Sequence, residues 1–346
     1  MAKESWYINE SELDDYQVRI IRRNLQSSFI VKGCAGSGKT VLALWRAKEI
    51  SEAGNDSYLI IVFTKALKQF IEDGIKTIGV DESKVMYHWQ WKKANMPVAD
   101  YIIVDEVQDF DTHELSDLKD AARKHLILFG DSAQQIYKDI PGKGVLLTME
   151  EIQVKTQIPM ENLVINHRLP KKIARIAERV SLSGDPLEER CNKEGVNKPR
   201  LIKCNNFNDQ LDYIMDVVKA QNYTDVGILF PSNQSVTAAY TYYKNKKWDV
   251  EKKSGYGAGS MDLNFRTDNP KLLTYHSAKG LQFEAVFIPN CIGDEENNRN
   301  PLYVALTRTY RDLFILYDND LSEFISVIDS SLFEIINENS EGDMPF

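Results

Sequence analysis

A glycine-rich segment near the start of the chain has the residue types and spacing of a phosphate-binding loop. It reads Gly33-Cys34-Ala35-Gly36-Ser37-Gly38-Lys39-Thr40 and lies between apolar runs at 29–31 and 41–44. Backbone N–H groups of such a loop surround phosphate oxygens at the positive end of the following helix, while Lys39 neutralises their charge and Thr40 offers a hydroxyl to Mg²⁺. The strand–loop–helix context favours this interpretation over an ordinary glycine turn. The segment therefore predicts a site for a nucleoside triphosphate and magnesium.

Two carboxylates follow a second apolar run. Residues 101–104 read as a buried strand, and Asp105 and Glu106 come directly after it. Parallel sheets present catalytic groups at the carboxyl ends of their strands, so we expect Asp105 to hold magnesium and Glu106 to accept a proton from an attacking water. Acidic residues after a strand can instead cap a helix. Behind a phosphate loop, the catalytic interpretation is preferred.

A third apolar run, at 126–129, also ends in a polar turn. Gln134 in this turn is a candidate sensor of the γ-phosphate, because an amide can donate to a phosphate oxygen and accept from water. A structural change caused by loss of the γ-phosphate would then pass from Gln134 through Ile136 and Tyr137. The alternative for Tyr137 is a half-buried aromatic residue at the end of a strand.

The composition limits the function classes. The 346 residues suffice for two globular domains, and no apolar run approaches membrane-spanning length. The net charge of −9 argues against a uniformly basic nucleic-acid binder, although a local basic groove is compatible with it. No signal-peptide pattern opens the chain, and its four cysteines have no metal-ligand spacing. We therefore expect a cytoplasmic protein that does not contact the membrane.

Strand-like runs alternate with helical stretches in both halves of the sequence. This pattern predicts an α/β fold with two domains, each a parallel sheet flanked by helices. The expected domains are residues 1–155 and 156–346, with the run at 163–165 opening the second sheet. The acidic tail after Ser331 is expected to be frayed.

The order of the motifs resembles the UvrD/Rep type of superfamily 1 DNA helicase over nearly the whole chain. The phosphate loop, Gln17 before it and the Asp105-Glu106-Val107-Gln108-Asp109 signature after it all match that family. Further similar segments are 63–67, 166–168, 274–283 and 303–308. The resemblance implies two tandem RecA-like P-loop domains that hydrolyse ATP at their interface. It also implies movement along single-stranded DNA in the 3′-to-5′ direction.

The resemblance assigns further nucleotide contacts. Arg168 and Arg308 correspond to arginines that reach the γ-phosphate from the second domain, and Gln17 corresponds to the glutamine that reads adenine. Taken singly, Arg168 could be a surface charge at a helix start, and Arg308 a surface ion pair with Asp312 at helical spacing. The remaining family positions for the nucleotide fall on His167, Gly280 and Gln282. His167 replaces the family's usual tyrosine, and Gln282 its usual glutamate.

Aromatic and polar residues could form a path for a nucleic-acid strand, which needs stacking platforms and cations. Of Trp89 and Trp91, only one is expected to face this path, because alternate residues of an extended segment point to opposite sides. Lysines 244–253 could form a second contact surface or a solvated helix face. The candidates for the path are Phe63, Lys65, His88, Trp89, Trp91, Tyr137, Thr274 and His276.

The chain has no room for the two inserted helical subdomains of larger family members, so it resembles a minimal motor core. The leading hypothesis is an ATP-driven translocase or helicase on single-stranded DNA, with RNA not excluded. A second hypothesis is a strand-stimulated ATPase subunit or remodeller that relies on a protein partner for unwinding. A third is a switch or scaffold that binds ATP and barely hydrolyses it. The sequence leaves the oligomeric state open.

Overall fold

The computed structural model describes residues 9–138, 143–184, 186–253, 262–292 and 296–337. The chain divides into two compact units, one ending at His167 and the other running from Arg168. Each unit contains a parallel sheet with helices, so the predicted α/β fold class is confirmed. No helix in the described ranges is long and apolar enough to cross a membrane.

The first unit is built on a six-stranded parallel sheet with the order β3-β2-β4-β5-β1-β6. Its strands are β1 (Phe29–Gly33), β2 (Tyr58–Val62), β3 (Val85–Tyr87), β4 (Ala99–Val104), β5 (Ala122–Gly130) and β6 (Met160–Leu163). Its helices are α1 (Asp15–Ile21), α2 (Lys39–Glu52), α3 (Lys65–Ile78), α4 (His88–Lys93), α5 (Thr112–Ala121) and α6 (Met149–Thr156). Short 3₁₀ turns occur at Glu10–Glu12, Glu82–Lys84, Val107–Asp109 and Ser132–Gln134.

The three apolar runs that precede the predicted site form β1, β4 and β5. These strands are adjacent in the sheet, with Ile30 opposite Leu128 and Ile103 opposite Ile127. Within these strands, the runs 29–31, 101–104 and 126–129 are buried on both faces because helices cover both sides of a parallel sheet. The sheet therefore brings the polar residues after these strands to the same edge.

The second unit is built on a seven-stranded parallel sheet with the order β11-β12-β10-β13-β14-β9-β15. Its strands are β7 (Asn166–Pro170), which spans the division, β8 (Cys191–Lys193), β9 (Arg200–Lys203), β10 (Val226–Phe230), β11 (Glu251–Lys252), β12 (Lys271–Thr274), β13 (Phe283–Ile288), β14 (Thr309–Tyr317) and β15 (Glu334–Asn337). Strands β7 and β8 form a separate two-stranded sheet. The helices are α7 (Lys171–Val180), α8 (Leu187–Arg190), α9 (Phe207–Gln221), α10 (Asn233–Asn245), α11 (Glu296–Leu306) and α12 (Glu323–Ser326), with a 3₁₀ turn at Ser330–Leu332.

Two sequence expectations about boundaries differ from the structure. Strand β6 pairs with β1, so the segment after residue 155 continues the first sheet, and the division falls after His167. The apolar run that was expected to open the second sheet overlaps β6 at Leu163. The expected frayed tail is wrong for residues 334–337, because β15 pairs in register with β9. The remaining tail and the glycine-bearing segment 254–260 lie outside the described residues.

Candidate functional site

The glycine-rich segment joins β1 to α2, as the sequence predicts. Gly36 and Gly38 have φ angles of +79° and +87°, which glycine adopts without a Cβ penalty. Gly38 is the N-cap of α2 and has no side chain that could cap it. The first turn of this 14-residue helix can therefore direct its N–H groups at an anion.

Lys39 is buried at the start of α2, and its ammonium group lies inside the loop. Nζ donates to the carbonyl oxygens of Gly33 at 2.8 Å and Cys34 at 3.1 Å. These contacts hold the charge at the centre of the loop. A bound phosphate would offer the ammonium group a stronger, charge-assisted partner.

Thr40 and Asp105 meet at the end of β4. Thr40 Oγ1 donates to Asp105 Oδ2 at 2.6 Å, and the Asp105 side chain is 1% exposed. Burial and the neighbouring Glu106 raise the pKa of Asp105 to about 6. A divalent cation would stabilise the ionised carboxylate, so a hydroxyl beside a buried carboxylate fits Mg²⁺.

The described residues contain no cluster of three or more His, Cys, Asp or Glu side chains suited to a metal ion. A cation at Thr40 and Asp105 would consequently take its other ligands from phosphate oxygens and water, which is the usual arrangement for Mg²⁺. The donor set therefore fits a magnesium ion that arrives with a nucleotide.

Glu106 lies in an unusual backbone conformation directly after Asp105. Its φ and ψ are 58° and 42°, the left-handed region that few residues other than glycine adopt. Its side chain is 5% exposed and accepts a hydrogen bond from Gln108 Nε2 at 2.5 Å. Such an outlier, over-determined by neighbours, is typical of functional sites.

Gln134 lies at the neighbouring strand end, after β5. Its amide Nε2 donates to Asp131 Oδ2 at 2.7 Å, and the side chain is 1% exposed. The backbone N of Asp131 in turn donates to Gln108 Oε1 at 3.0 Å. The sequence motifs assigned no role to Gln108, although its position within the signature 105–109 could have indicated one.

A second group of side chains surrounds the far side of the loop. Gln17 Oε1 accepts from Asp14 N, and its Nε2 donates to the carbonyl oxygen of Ser37 at 3.1 Å. His167 Nε2 contacts Asp14 Oδ2 at 2.7 Å, and Asn166 Nδ2 donates to the carbonyl of Ala35. The structure thus brings Gln17 and His167, which were both predicted to contact the nucleotide, to the same loop. Asp14 and Asn166 are partners that the sequence reasoning missed.

The second unit holds the remaining nucleotide candidates. Arg308 is 2% exposed and follows α11, where Nε donates to the carbonyl of Val304 at 2.9 Å. The alternative of a surface ion pair at helical spacing is wrong, because α11 ends at Leu306 and Asp312 lies in β14. Arg168 lies in β7 rather than at the exposed start of a helix.

The segment after β12 contains the other candidates of the second unit. Thr274 is buried, and its hydroxyl accepts from the backbone N of Ser277 at 3.2 Å. His276 and Gln282 are half-buried. Gly280 has a φ angle of +79°, so this turn requires glycine.

Aromatic side chains from four segments of the first unit form a cluster around Phe63. The ring of Phe63 stacks against His88 with centroids 5.7 Å apart and contacts Tyr137 at 4.9 Å and Phe110 at 5.2 Å. Tyr137 is 6% exposed, so it is more buried than the half-buried residue of the alternative interpretation. Lys65 is the first residue of α3, two positions after Phe63 in the sequence, and its side chain is half-buried.

His88 is buried in this cluster and cannot act as an exposed cation. Burial lowers the pKa of His88 to about 4, although Glu114 opposes this shift. Glu114 accepts hydrogen bonds from Lys143 Nζ at 2.6 Å and Lys92 Nζ at 3.2 Å. Lys143 Nζ also lies 4.9 Å from the centroid of the Phe63 ring. Lys92 and Lys143 are therefore cations near the aromatic cluster that sequence reasoning missed.

Trp89 and Trp91 both lie in α4, so the extended segment assumed for them is wrong, although two residues of a helix that are two positions apart also point to different sides. Trp89 is 62% exposed, whereas Trp91 is fully buried and donates to the carbonyl of Pro97 at 3.1 Å. In the second unit, Lys244 and Lys246 are exposed and paired with Asp249 and Asp212. These pairs favour the solvated-face interpretation of the lysine-rich segment.

The fold and the loop define a P-loop nucleotide-binding protein. The chain matches the family described as "AAA domain" over residues 17–139 and the family described as "UvrD-like helicase C-terminal domain" over residues 271–316. It is also 28% identical over 241 residues to a probable DNA helicase of Mycoplasma pneumoniae, covering 62% of this chain. Together these matches confirm the resemblance to UvrD-type helicases.

The chain spans 43% of the length of that curated relative. Among solved structures, it is similar to the C-terminal domain of a possible DNA helicase from Lactobacillus plantarum WCFS1, with 17% identity, 49% of this chain and 98% of that chain covered, and a TM-score of 0.39. It is also similar to the arterivirus nonstructural protein 10 helicase, with 14% identity, coverage of 92% and 64%, and a TM-score of 0.46.

Proposed function

We propose that this protein hydrolyses ATP with Mg²⁺ and uses the energy to move along single-stranded DNA in the 3′-to-5′ direction. The observation that carries the proposal is the contact between Thr40 and Asp105 beside a buried Lys39 and the strained Glu106. This arrangement supports phosphoryl transfer, which needs charge neutralisation and a positioned water more than covalent chemistry.

Each residue has a distinct part in the proposed reaction. The loop amides and Lys39 bind the phosphates, and Thr40 and Asp105 hold Mg²⁺, which neutralises charge on the phosphates when bound. Glu106 orients the attacking water and accepts its proton. Arg168 and Arg308 are proposed to stabilise the γ-phosphate, as the family resemblance implies, and Gln134 to respond to it.

The aromatic cluster around Phe63 and the exposed Trp89 support a strand-binding role for the first unit. Single strands bind to proteins by stacking bases on aromatic rings and pairing phosphates with cations. Trp89 offers an exposed ring, and Lys92 and Lys143, which are both paired with Glu114, are the cations of the adjoining aromatic cluster. Thr274 and His276 are the proposed contacts from the second unit.

Steady-state ATP hydrolysis with and without single-stranded DNA or RNA tests the proposal. We expect DNA to stimulate the wild-type rate, Lys39→Ala to lose nucleotide binding, and Glu106→Gln to bind ATP without hydrolysing it. Lys32→Ala is a matched control, because Lys32 lies on β1 and its Nζ pairs with Glu150 at 2.6 Å. A wild-type hydrolysis rate equal to that of Lys39→Ala would contradict ATP hydrolysis by this protein and favour the switch or scaffold.

Direction and unwinding need separate measurements. A 3′-to-5′ translocase displaces streptavidin from a biotin at the 5′ end of a strand faster than from the 3′ end, and the opposite preference would contradict the proposed direction. DNA-stimulated hydrolysis without separation of a partial duplex would favour the remodeller that relies on a partner. Stimulation by RNA alone would contradict DNA as the track.

A further inference from the structure

The side chain of Gln108 bridges two strand ends of the first unit. It is fully buried, and its amide Nε2 donates to Glu106 Oε2 at 2.5 Å. Its Oε1 accepts from the backbone N of Asp131 at 3.0 Å. A carboxylate can only accept and a backbone N–H can only donate, so these partners fix which end of the amide faces each of them. Gln108 is consequently held in one orientation.

Glu106 needs such a partner because its own backbone is strained. The left-handed conformation at this residue persists only where neighbouring contacts determine it. The backbone N of Glu106 donates to Asp105 Oδ1 at 3.0 Å, and its carbonyl accepts from the backbone N of Asp109 at 3.1 Å. These bonds fix the main chain, whereas the bond from Gln108 fixes the carboxylate.

We propose that Gln108 is a positioning residue for the reaction: by holding Oε2 of Glu106, it sets the direction in which this carboxylate meets the attacking water. The inference rests on the proposed function, in which Glu106 accepts the proton of that water. Because Gln108 does not reach the reacting atoms itself, its loss changes the rate of the chemical step and leaves nucleotide binding intact.

The end of β5 is shaped to receive the Gln108 side chain. A Cβ at Gly130 would lie 2.6 Å from Gln108 Oε1, and also 2.6 Å from Met149 Sδ and 2.9 Å from Val107 Cγ1, all closer than real contacts allow. Glycine at this position therefore lets the amide approach the strand end. The backbone carbonyl of Gln108 accepts from Gln135 Nε2 at 3.1 Å, and this hydrogen bond does not involve Glu106.

These contacts supply a test with a matched control. Gln108→Met keeps the length of the side chain and removes its donor, and we expect kcat for ATP to fall roughly tenfold to a hundredfold. KM and the Kd of a fluorescent ATP analogue should stay within about twofold of wild type. Gln135→Met removes a bond of the same turn but spares the Glu106 contact, and its kcat should stay within about threefold.

A second variant covers the case in which Gln108→Met does not fold. Gly130→Ala keeps the amide and crowds it, together with Met149 and Val107, at the strand end, so a loss of kcat is expected here too. Wild-type kcat in a folded Gln108→Met or Gly130→Ala protein would overturn the inference. An equal loss in Gln135→Met would also overturn it, because integrity of the turn would then explain the effect.

The Glu106→Gln variant separates this inference from the proposed function. If Glu106→Gln is inactive and Gln108→Met is fully active, only the positioning role is overturned. If Glu106→Gln hydrolyses ATP at the wild-type rate, Glu106 is not the proton acceptor, and the proposed chemistry falls together with the inference that rests on it.

Discussion

Asp14 and His167 are joined by a contact of 2.7 Å between Oδ2 and Nε2, although 153 positions separate them in the sequence. The other carboxylate oxygen of Asp14 accepts from the backbone N of Gln17 at 2.8 Å and so caps α1. The backbone N of His167 donates to the carbonyl of Gly36 at 3.2 Å. One carboxylate therefore connects the cap of α1 to a residue that is bonded to the phosphate loop.

We expect Asp14→Ala to weaken both the fold and nucleotide binding. Loss of the cap should lower the free energy of unfolding by about 1 kcal/mol. Release of His167 should weaken ATP binding by roughly fivefold, the equivalent of one hydrogen bond. Urea unfolding and titration with a fluorescent ATP analogue measure the two effects.

Asp15→Ala is the control for that variant, because Asp15 is exposed one position further along and carries the same charge. Its nucleotide affinity should match wild type. An unchanged affinity in Asp14→Ala would show that the contact with His167 does not serve the nucleotide site.

Asp105→Asn should raise the stability of the nucleotide-free protein and abolish its activity. Its pKa is about 6 in the fold, against an ordinary value of 3.8. A carboxyl group whose pKa is raised by folding contributes stability at pH values below its ordinary pKa of 3.8, and this contribution is lost as the pH rises through 6. At pH 8, Asp105→Asn should therefore raise the free energy of unfolding of the nucleotide-free protein, by at most about 3 kcal/mol, while abolishing Mg²⁺-dependent hydrolysis.

Urea unfolding at pH 4 and pH 8 tests whether Asp105→Asn stabilises or destabilises the fold. The stabilisation by Asp105→Asn should be large at pH 8 and nearly absent at pH 4. The exposed Asp120 on α5 provides the control Asp120→Asn, which should change stability little at either pH. Greater destabilisation at pH 8 than at pH 4 would contradict the raised pKa.

Trp89 and Trp91 should give opposite phenotypes. Trp89→Ala should weaken binding of single-stranded DNA roughly 5- to 100-fold, because stacking on an exposed ring is lost, and should leave the melting temperature nearly unchanged. Trp91→Ala should destabilise the fold by about 3–5 kcal/mol because the ring is fully buried.

Fluorescence anisotropy with a labelled oligonucleotide and thermal unfolding separate these outcomes. ATP affinity serves as the internal control for Trp89→Ala, since it should not change. Wild-type affinity for DNA in this variant would remove Trp89 from the proposed strand path.

Arg46 should be essential for the packing of α1 against α2. It is fully buried and donates to the carbonyl oxygens of Ile21 at 2.7 Å, Arg23 at 2.6 Å and Asn24 at 2.9 Å. Burial lowers the pKa of this guanidinium to about 10, so it stays charged at neutral pH. Arg46→Met leaves three carbonyl groups without this donor and should cost about 3 kcal/mol or more.

Urea unfolding measures this loss. Lys48→Met on the same helix is the control, because the Lys48 ammonium is partly exposed and lies 3.7 Å from Glu52. Its effect should stay below about 0.5 kcal/mol. Equal stabilities of Arg46→Met and wild type would show that the buried charge contributes nothing net.

The sequence predicted those features that depend on neighbouring residues. The loop between β1 and α2 is one such feature, because glycines at positive φ and a lysine at the first position of a helix form a local pattern. The apolar runs before Asp105 and Gln134 likewise predicted buried parallel strands. Parallel strands align their carboxyl ends, so the placement of both residues at one edge followed.

Only the tertiary structure decided which distant side chains meet. Neither the contact of Asp14 with His167 nor the bridge of Gln108 from Glu106 to Asp131 follows from local spacing, because the partners belong to segments joined by the sheet. Which of the two tryptophans is buried and the addition of β6 to the first sheet depend in the same way on packing. The physical reason is that periodicity reports which face of an element is apolar, whereas three-dimensional packing selects what covers that face.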